Sequence, residues 1–205
     1  MLFCSFCYFS FAIAYSNNRT KVRKINYLCN IMTNRKLLSI EMGRLSADAY
    51  KNRPESGVAV VLDNIRSAHN VGSAFRTADC LGIDKLYLCG ICATPPSAEI
   101  HKSALGAEES VPWEYVQDTL EVISRLRAEG YTIVSAEQTT NSVKLDNFSP
   151  EPNRKYAVIF GNEVDGVSQE AVDASDFSLE IPQFGTKHSF NVSVSIGIIL
   201  WSFRQ

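Results

Sequence analysis

The chain has 205 residues, 45% of them hydrophobic, and its 20 Lys and Arg nearly balance its 22 Asp and Glu. This composition suits one globular domain, or one domain plus an arm, and gives the molecule as a whole no polyanion-binding signature. The charge is nevertheless uneven, because residues 1–53 have a net charge of +7 and residues 54–205 a net charge of −9. A basic arm on an acidic body can bind nucleic acid locally.

The first fifteen residues are almost wholly apolar. A bilayer span needs about twenty such residues, so this run is short for one. It fits a signal-peptide core with a small-x-small pattern at Ala12-Ile13-Ala14, although no Lys or Arg precedes it. Met32 then begins a stretch that resembles an ordinary protein start. We therefore expect residues 1–31 to be an upstream extension outside the fold, from a misassigned start codon; a mature N-terminus near Ala14 would contradict this.

Six cysteines are present, and two pairs have C-x-x-C spacing, Cys4/Cys7 and Cys89/Cys92. Two such pairs could form a zinc site. One pair, however, lies in the apolar leader and the other follows a predicted strand, so we expect buried or free thiols and no bound metal. The spacing does not resemble a disulfide framework, which indicates a reducing compartment, and we expect the cytoplasm.

An apolar stripe with roughly helical spacing runs through residues 35–53, and Arg53-Pro54 ends it. Its members are Leu37, Leu38, Met42, Leu45 and Ala49. We expect a helical arm over residues 32–56, followed by the main domain over residues 57–205.

Strand and helix patterns alternate through this main domain. The predicted strands are Gly57–Leu62, Lys85–Cys89, Tyr131–Ala136, Tyr156–Phe160 and Phe177–Ile181. Helices are predicted over residues 71–81, between Asn70 as N-cap and Gly82, over residues 119–129, between Asp118 and Gly130, and briefly after Ser168. Such alternation is typical of an α/β domain with a mainly parallel sheet.

The last apolar segment, residues 190–203, is ambiguous. Its apolar and small residues alternate, which by period indicates a strand. The segment is also long enough for a helix with a small-residue face at Ser189, Ser193 and Gly197. Periodicity leaves both open.

Three motifs carry the functional signal. The first runs from Asn70-Val71-Gly72 to Arg76-Thr77-Ala78. It could be an ordinary capped helix with an exposed arginine. Glycine in a first helical turn, however, costs up to about 1 kcal/mol without a reason.

The second and third motifs follow predicted strands. Gly161-Asn162-Glu163-Val164-Asp165-Gly166 could be a surface turn, or a loop in which glycine lets a ligand approach the backbone. Ligands of open α/β sheets bind at the carboxyl ends of strands, and no Lys-Ser/Thr follows, which rejects a Walker P-loop. Ser189-Phe190-Asn191 could be a helix cap or part of a pocket.

Together and in this order, the motifs resemble those of the SpoU (TrmH) family of RNA 2′-O-ribose methyltransferases, in the SPOUT superfamily. The resemblance covers residues 57–205 and departs from the family's S-L-N at Phe190, an apolar exchange. It implies an α/β fold with a parallel sheet flanked by helices and a C-terminal trefoil knot, and it favours a helix for the last segment. It also implies a homodimer that binds S-adenosyl-L-methionine and methylates a ribose 2′-hydroxyl of tRNA or rRNA, with tRNA slightly favoured.

The resemblance further implies roles for eight residues. The catalytic and site-shaping positions are Arg76, Asn70, Glu163, Ser189 and Asn191, and the cofactor-lining positions are Gly161, Ile181 and Phe190. Arginine resists deprotonation, so Arg76 would hold a phosphate and stabilise negative charge. We expect Lys102, Arg154 and Lys187 to join Arg76 in a local basic site, and His101 to lie in a polar loop near it.

Two alternatives differ in chemistry. A non-catalytic RNA- or nucleotide-binding α/β module would have the same fold, but a dead paralogue should have lost some of Arg76, Glu163, Ser189 and Asn191, and all four are present. The second alternative is a SPOUT enzyme that methylates a base. The assignment of the reaction to the ribose rests on the first motif.

Overall fold

The described part of the chain forms a seven-stranded, all-parallel sheet. Three apolar runs with no charged residue in their interior lie side by side at its centre, as strands β1, β6 and β4. The computed structural model describes residues 35–204, without the side chain of Ser39, so the predicted extension over residues 1–31 and Cys4/Cys7 lie outside the described residues. The strand order is β3-β2-β1-β6-β4-β7-β5. The strands are β1 Val58–Asp63, β2 Lys85–Cys89, β3 Trp113–Val116, β4 Tyr131–Ala136, β5 Val143–Lys144, β6 Lys155–Phe160 and β7 Phe177–Glu180.

Helices cover both faces of this sheet. They are α1 Ala47–Lys51, α2 Ala68–Leu81, α3 Ala98–Ala104, α4 Ala107–Ser110, α5 Thr119–Ala128, α6 Gln169–Asp173 and α7 Val192–Ser202, with a 3₁₀ turn at Leu145–Asn147. Strand β1 shows the division, since Val60 and Leu62 belong to the core under α2 and α7, and Ala59 and Val61 to the core under α5. Alternate side chains of a strand point to opposite faces, so a strand buried on both sides reads as a continuous apolar run.

The chain divides into two compact units, and residues 35–44 belong to the first. Within it, Ser39–Met42 forms a 3₁₀ turn, and Arg35 pairs with Glu41 at 2.6 Å. The second unit begins at Leu45 and holds the sheet and helices described above.

The prediction of one helical stretch over residues 35–53 is wrong. The only α-helix in that range is α1, and Ala49 of the apolar stripe is exposed whereas the unpredicted Tyr50 is buried. The Tyr50 hydroxyl donates to the carbonyls of Ala78 at 3.1 Å and Ile83 at 2.8 Å, which anchors α1 beside α2.

Several local predictions are confirmed, and others shift by a turn. Strands β2 and β4 have the predicted bounds, and Gly82 ends α2 in the left-handed region at φ 61°. Helix α2 begins three residues earlier than predicted, because Ser67 is its N-cap and accepts from the amide of Asn70. Asn70 is therefore free for a different contact.

Gly72 of the first motif has a packing role. A Cβ there would lie 2.1 Å from Ser103 Oγ and 2.4 Å from the carbonyl oxygen of Ile100, both on α3. The glycine lets two helix backbones approach closely, which explains its presence without any ligand. The segment that contains His101, expected as a polar loop, forms α3 and α4.

The ambiguous last segment forms helix α7. Its buried residues Ile196, Ile199 and Leu200 have i, i+3, i+4 spacing, and α7 packs against α2. The helix favoured by the family resemblance is confirmed, and the strand indicated by alternation is wrong.

Cys89 and Cys92 are buried free thiols in the core. Burial raises the pKa of Cys89 to about 12 and that of Cys92 to about 11, which makes both thiols inert near neutral pH. Across residues 35–204, no group of three or more His, Cys, Asp or Glu could hold a metal ion. No helix in that range is long and apolar enough to cross a membrane.

Candidate active site

A pocket of about 620 Å³ opens where three parallel strands end. It lies at the carboxyl ends of β4, β6 and β7 and reaches the first turns of α7. The residues around it include Glu137 and Gln138 after β4, Gly161 to Gly166 after β6, and Ile181, Gln183 and His188 to Val192 after β7. Ligands of open α/β sheets bind at this edge.

The pocket combines an apolar floor with an acidic rim. Phe160, Leu179 and Ile199 are buried at the floor. The rim carries four carboxylates, those of Glu137, Glu163, Asp165 and Glu180, and no Lys or Arg among residues 35–204 lines the pocket. Such a lining suits a ligand that has a flat apolar part and a positive charge.

The second motif forms a tight loop whose backbone requires glycine. The Asn162 amide donates to the Gly166 carbonyl at 2.8 Å, and the Gly166 amide donates back at 3.0 Å. A Cβ at Gly161 would lie 2.0 Å from the carbonyl carbon of Gly166, which itself adopts a left-handed φ of 72°. Glycine at these positions therefore lets the two ends of the loop close on each other at the edge of the pocket.

Glu163 joins this loop to the first motif. Its carboxylate accepts from the Arg66 amide at 3.0 Å, the Ser67 amide at 3.1 Å and Asn70 Nδ2 at 2.8 Å. Partial burial opposes ionisation, but these hydrogen bonds outweigh it and lower the pKa of Glu163 below its usual value. Two motifs about ninety residues apart in sequence are thereby fixed together.

Arg76 stands apart from the pocket. It is exposed on α2, does not line the pocket, and makes no hydrogen bond or ion pair with any of residues 35–204. It lies one helical turn after Gly72 but, unlike that buried glycine, it is exposed. Its guanidinium is available to a partner that approaches from outside.

The third motif closes the other side of the pocket. The carbonyl of His188 accepts from Gln138 Nε2 at 2.7 Å and Gln183 Nε2 at 3.3 Å, which fixes the backbone just before Ser189. Asn191 caps α7, its Oδ1 accepting from the Ser193 amide at 2.9 Å. The N-cap reading considered for Ser189 is therefore wrong, and its hydroxyl faces no partner among the described residues.

Six of the eight residues named from the resemblance line this pocket: Gly161, Glu163, Ile181, Ser189, Phe190 and Asn191. Asn70 is connected to it through Glu163, and Arg76 is not. Their roles stay predictions. Sequence reasoning missed Glu137, Gln138, Gln183 and His188, although polar residues directly after predicted parallel strands are the signal that could have found them.

The basic residues expected to form a local site lie on different elements of the fold. His101 and Lys102 are exposed on α3, and Lys187 is exposed in the loop after β7. Arg154 precedes β6, at the opposite edge of the sheet, where it pairs with Glu151. Arg154 therefore lies away from the pocket, and the local basic site stays a prediction.

His101 binds the largely buried Glu108 across the start of α4, with Nδ1 2.5 Å from Oε1. The hydrogen bond to Glu108 raises the pKa of His101 above its ordinary value. This contact ties α3 to α4, and both helices pack against α2.

The chain is similar to known proteins in sequence and in fold. Residues 57–201 match the model of the SpoU rRNA Methylase family. A 23S rRNA (guanosine-2′-O-)-methyltransferase RlmB of Neisseria meningitidis is 31% identical over 77% of this chain and 62% of its own length. A tRNA (guanosine(18)-2′-O)-methyltransferase of Borreliella burgdorferi is 26% identical over 88% of this chain and 78% of its own. The chain thus spans less than two thirds of the rRNA enzyme.

Solved structures of methyltransferases share this fold. An AdoMet-bound rRNA methyltransferase from Sinorhizobium meliloti aligns with a TM-score of 0.68 and 27% identity, over 76% of this chain and 59% of that one. The A. aeolicus TrmH/SpoU tRNA modifying enzyme aligns with a TM-score of 0.67 and 27% identity, over 77% of this chain and 80% of that one. The matched region holds the sheet, the pocket and all three motifs. This chain belongs to the SpoU rRNA methylase family.

Proposed function

We propose that this chain transfers a methyl group from S-adenosyl-L-methionine to the 2′-hydroxyl of a ribose in RNA. The observation that carries the proposal is the pocket at the carboxyl ends of β4, β6 and β7, at which the second and third motifs meet. Glu163 connects the first motif to it through Asn70. The relatives from Neisseria meningitidis and Borreliella burgdorferi are named as guanosine 2′-O-methyltransferases, the same type of reaction.

The pocket fits the cofactor. Its volume of about 620 Å³ lies in the usual range of small-molecule sites, about 300–1,000 Å³. The apolar floor suits an adenine ring, and the acidic rim suits the cofactor's ammonium and sulfonium charges. Gly161, Ile181 and Phe190 would hold it, largely through backbone groups. When bound, the cofactor supplies a methyl group on a positively charged sulfur.

The chain's own residues would position the RNA. Ser189 and Asn191, at the mouth of the pocket, offer polar side chains that can orient the ribose hydroxyl against the cofactor. Arg76, exposed and without a partner among the described residues, can hold a phosphate with its fork of N–H donors. Its fixed positive charge would stabilise the negative charge that develops on the 2′-oxygen.

The oligomer we propose is a homodimer built on α7 and the neighbouring face of α2. Large apolar side chains are exposed on α7, Val194 by 48% and Trp201 by 58%, and Phe190 just before it is 43% exposed. Such a surface on a helix that is otherwise core-facing suits burial against a second copy. Arg76 could then meet the pocket of the partner, which would account for its distance from its own. A C-terminal trefoil knot and a cytoplasmic location complete the proposal.

We propose tRNA ahead of rRNA as the substrate. The chain covers 78% of the tRNA enzyme from Borreliella burgdorferi but 62% of the rRNA enzyme from Neisseria meningitidis. This tRNA enzyme is thus matched over more of its own length than this rRNA enzyme.

The test is methyl transfer from labelled S-adenosylmethionine to separate tRNA and rRNA pools, followed by nucleoside analysis. We expect a 2′-O-methylated nucleoside with wild type and none with Arg76→Ala, while calorimetry gives the same cofactor affinity for both. Arg127→Ala, an exposed arginine on α5 at the other face of the sheet, is the matched control and should keep full activity. Near-normal turnover of Arg76→Ala would refute its role. Cofactor binding without transfer would indicate a non-catalytic module, and a methylated base would indicate the other enzyme class.

A further inference from the structure

Asp63, the last residue of β1, is a buried carboxylate that none of the three motifs includes. It is 1% exposed. It accepts from Asn64 Nδ2 at 2.9 Å, Thr119 Oγ1 at 2.6 Å, the Ser168 amide at 3.0 Å and Ser168 Oγ at 2.8 Å. None of these donors is a cation, and no Lys, Arg or His of residues 35–204 forms an ion pair with it. A buried charge of this kind is tolerated only because its hydrogen bonds are satisfied.

These donors place Asp63 at the junction of three elements. Thr119 begins α5, and Ser168 ends the pocket loop and precedes α6. The start of the same loop is held by Asn64, the residue directly after β1, because Asn162 Nδ2 donates to the Asn64 carbonyl at 2.8 Å. Two consecutive residues at the end of β1 thus hold both ends of the loop that spans residues 162–168.

Asn64 is shaped for this task. Its φ of 58° lies in the left-handed region, which turns the chain sharply at the end of β1. Its side chain donates to Asp63 and accepts from the Ile91 amide at 3.2 Å, so the turn is held from two sides. Asp63 and Asn64 themselves do not line the pocket.

We propose that Asp63 is a positioning residue for the cofactor pocket. Through Ser168 it fixes the backbone of the second motif, so that Gly161 and Gly166 stay where they line the pocket, without touching the cofactor itself. The functional part of this inference rests on the proposed use of S-adenosylmethionine. Its structural part, that Asp63 holds the loop, does not.

Asp63→Asn is the informative change. The amide keeps the size of the side chain but replaces one acceptor oxygen by a donor. The two hydroxyls can turn to accept from it, but in either orientation one pure donor, Asn64 Nδ2 or the Ser168 amide, then faces another donor. We expect the affinity for S-adenosylmethionine to fall by about tenfold or more, from at least one unpaired buried donor. The KM for the cofactor should rise in the same ratio, while the KM for RNA stays within about twofold.

Asp84→Asn is the matched control. Asp84 lies at the opposite edge of the sheet, where its carboxylate accepts from the amides of Ser56 and Gly57, each at 2.7 Å, and from Arg53. It holds the start of β1 as Asp63 holds the end. Its loss should lower stability and leave cofactor affinity unchanged.

Hydrogen exchange of the loop amides, measured on the full chain without cofactor, tests the structural part by itself. We expect Asp63→Asn to lower protection at Asn162, Gly166 and Ser168, and Asp84→Asn to leave it unchanged. If Asp63→Asn does not fold, Ser168→Ala removes only the hydroxyl and should change exchange and affinity in the same direction. The inference is overturned if the folded Asp63→Asn variant, or Ser168→Ala in its place, keeps wild-type protection of the loop amides. It is also overturned if Asp63→Asn and Asp84→Asn lose cofactor affinity equally. If wild type does not bind the cofactor, the proposed function fails, and the exchange data still decide whether Asp63 holds the loop.

Discussion

Replacing Gly72 by alanine tests whether the close packing of α2 on α3 accounts for the glycine of the first motif. A methyl group there would lie 2.1 Å from Ser103 Oγ and 2.4 Å from the Ile100 carbonyl oxygen. The serine side chain can rotate away, but the carbonyl belongs to the backbone of α3 and moves only with that helix. An ordinary carbon–oxygen contact therefore requires α3 to withdraw by about 1 Å.

The expected cost follows from two opposing effects. Overpacking a buried contact destabilises by about 1–3 kcal/mol. Alanine is a better helix former than glycine by about 1 kcal/mol, which offsets part of this. A contact of 2.4 Å with a backbone oxygen places the overpacking cost at the upper end of its range, about 2–3 kcal/mol. We therefore expect the free energy of unfolding to fall by roughly 1–2 kcal/mol, and Tm to fall by about 2–4 °C for each kcal/mol in a domain of this size.

Urea denaturation followed by circular dichroism, without cofactor, measures this change. The matched control is Ser73→Ala at the next position of α2, where the hydroxyl donates only to the His69 carbonyl at 2.9 Å. That variant should stay within about 0.5 kcal/mol of wild type. The double variant Gly72→Ala/Ser103→Ala should recover part of the loss, since the Ile100 carbonyl remains in place. Wild-type stability of Gly72→Ala would refute the packing argument, and full recovery in the double variant would place the whole clash on Ser103.

Three further predictions concern charge and assembly. The pKa of Glu163 is lowered by its hydrogen bonds, so its contribution to stability is present above the unfolded-state pKa and is lost as pH falls through the folded-state pKa. Glu163→Gln should therefore make stability depend less on pH in acid denaturation curves. An acid limb identical to that of wild type would contradict this. Replacing Arg35, Lys36 and Arg44 by glutamine should weaken RNA binding and leave cofactor binding intact. The slope of log affinity against log salt concentration should become shallower by about 0.7–0.9 per lost phosphate contact. An unchanged slope would mean that these residues form only a solvated face. Trp201→Asp should convert a dimer into a monomer in light scattering at micromolar concentration, whereas a monomeric wild type would remove the dimer from the proposal.

The local signals in the sequence predicted the parts of the fold that depend on neighbours along the chain. Strands β2 and β4 have the predicted bounds because an apolar β-rich run between turn residues has few other solutions. Gly82 ended α2 as predicted because the left-handed C-cap conformation strongly favours glycine. The order and composition of the three motifs likewise sufficed to indicate the family.

Residues distant in sequence decided what these signals left open. Helix α7 alternates like a strand, yet its buried face packs against the core and α2, and burial overrides an ambiguous period. Asn70 would suit an N-cap, yet Ser67 takes that role, and the asparagine side chain binds Glu163 instead.

By itself, the sequence determined the α/β class, the central strands and the motifs, since each depends on composition or on spacing within one segment. Only the tertiary structure decided the strand order, the convergence of the second and third motifs on one pocket, and the place of Asp63 behind it. The physical reason is that a parallel sheet pairs strands far apart in sequence. The carboxyl ends that form the site therefore become neighbours only when the chain has folded.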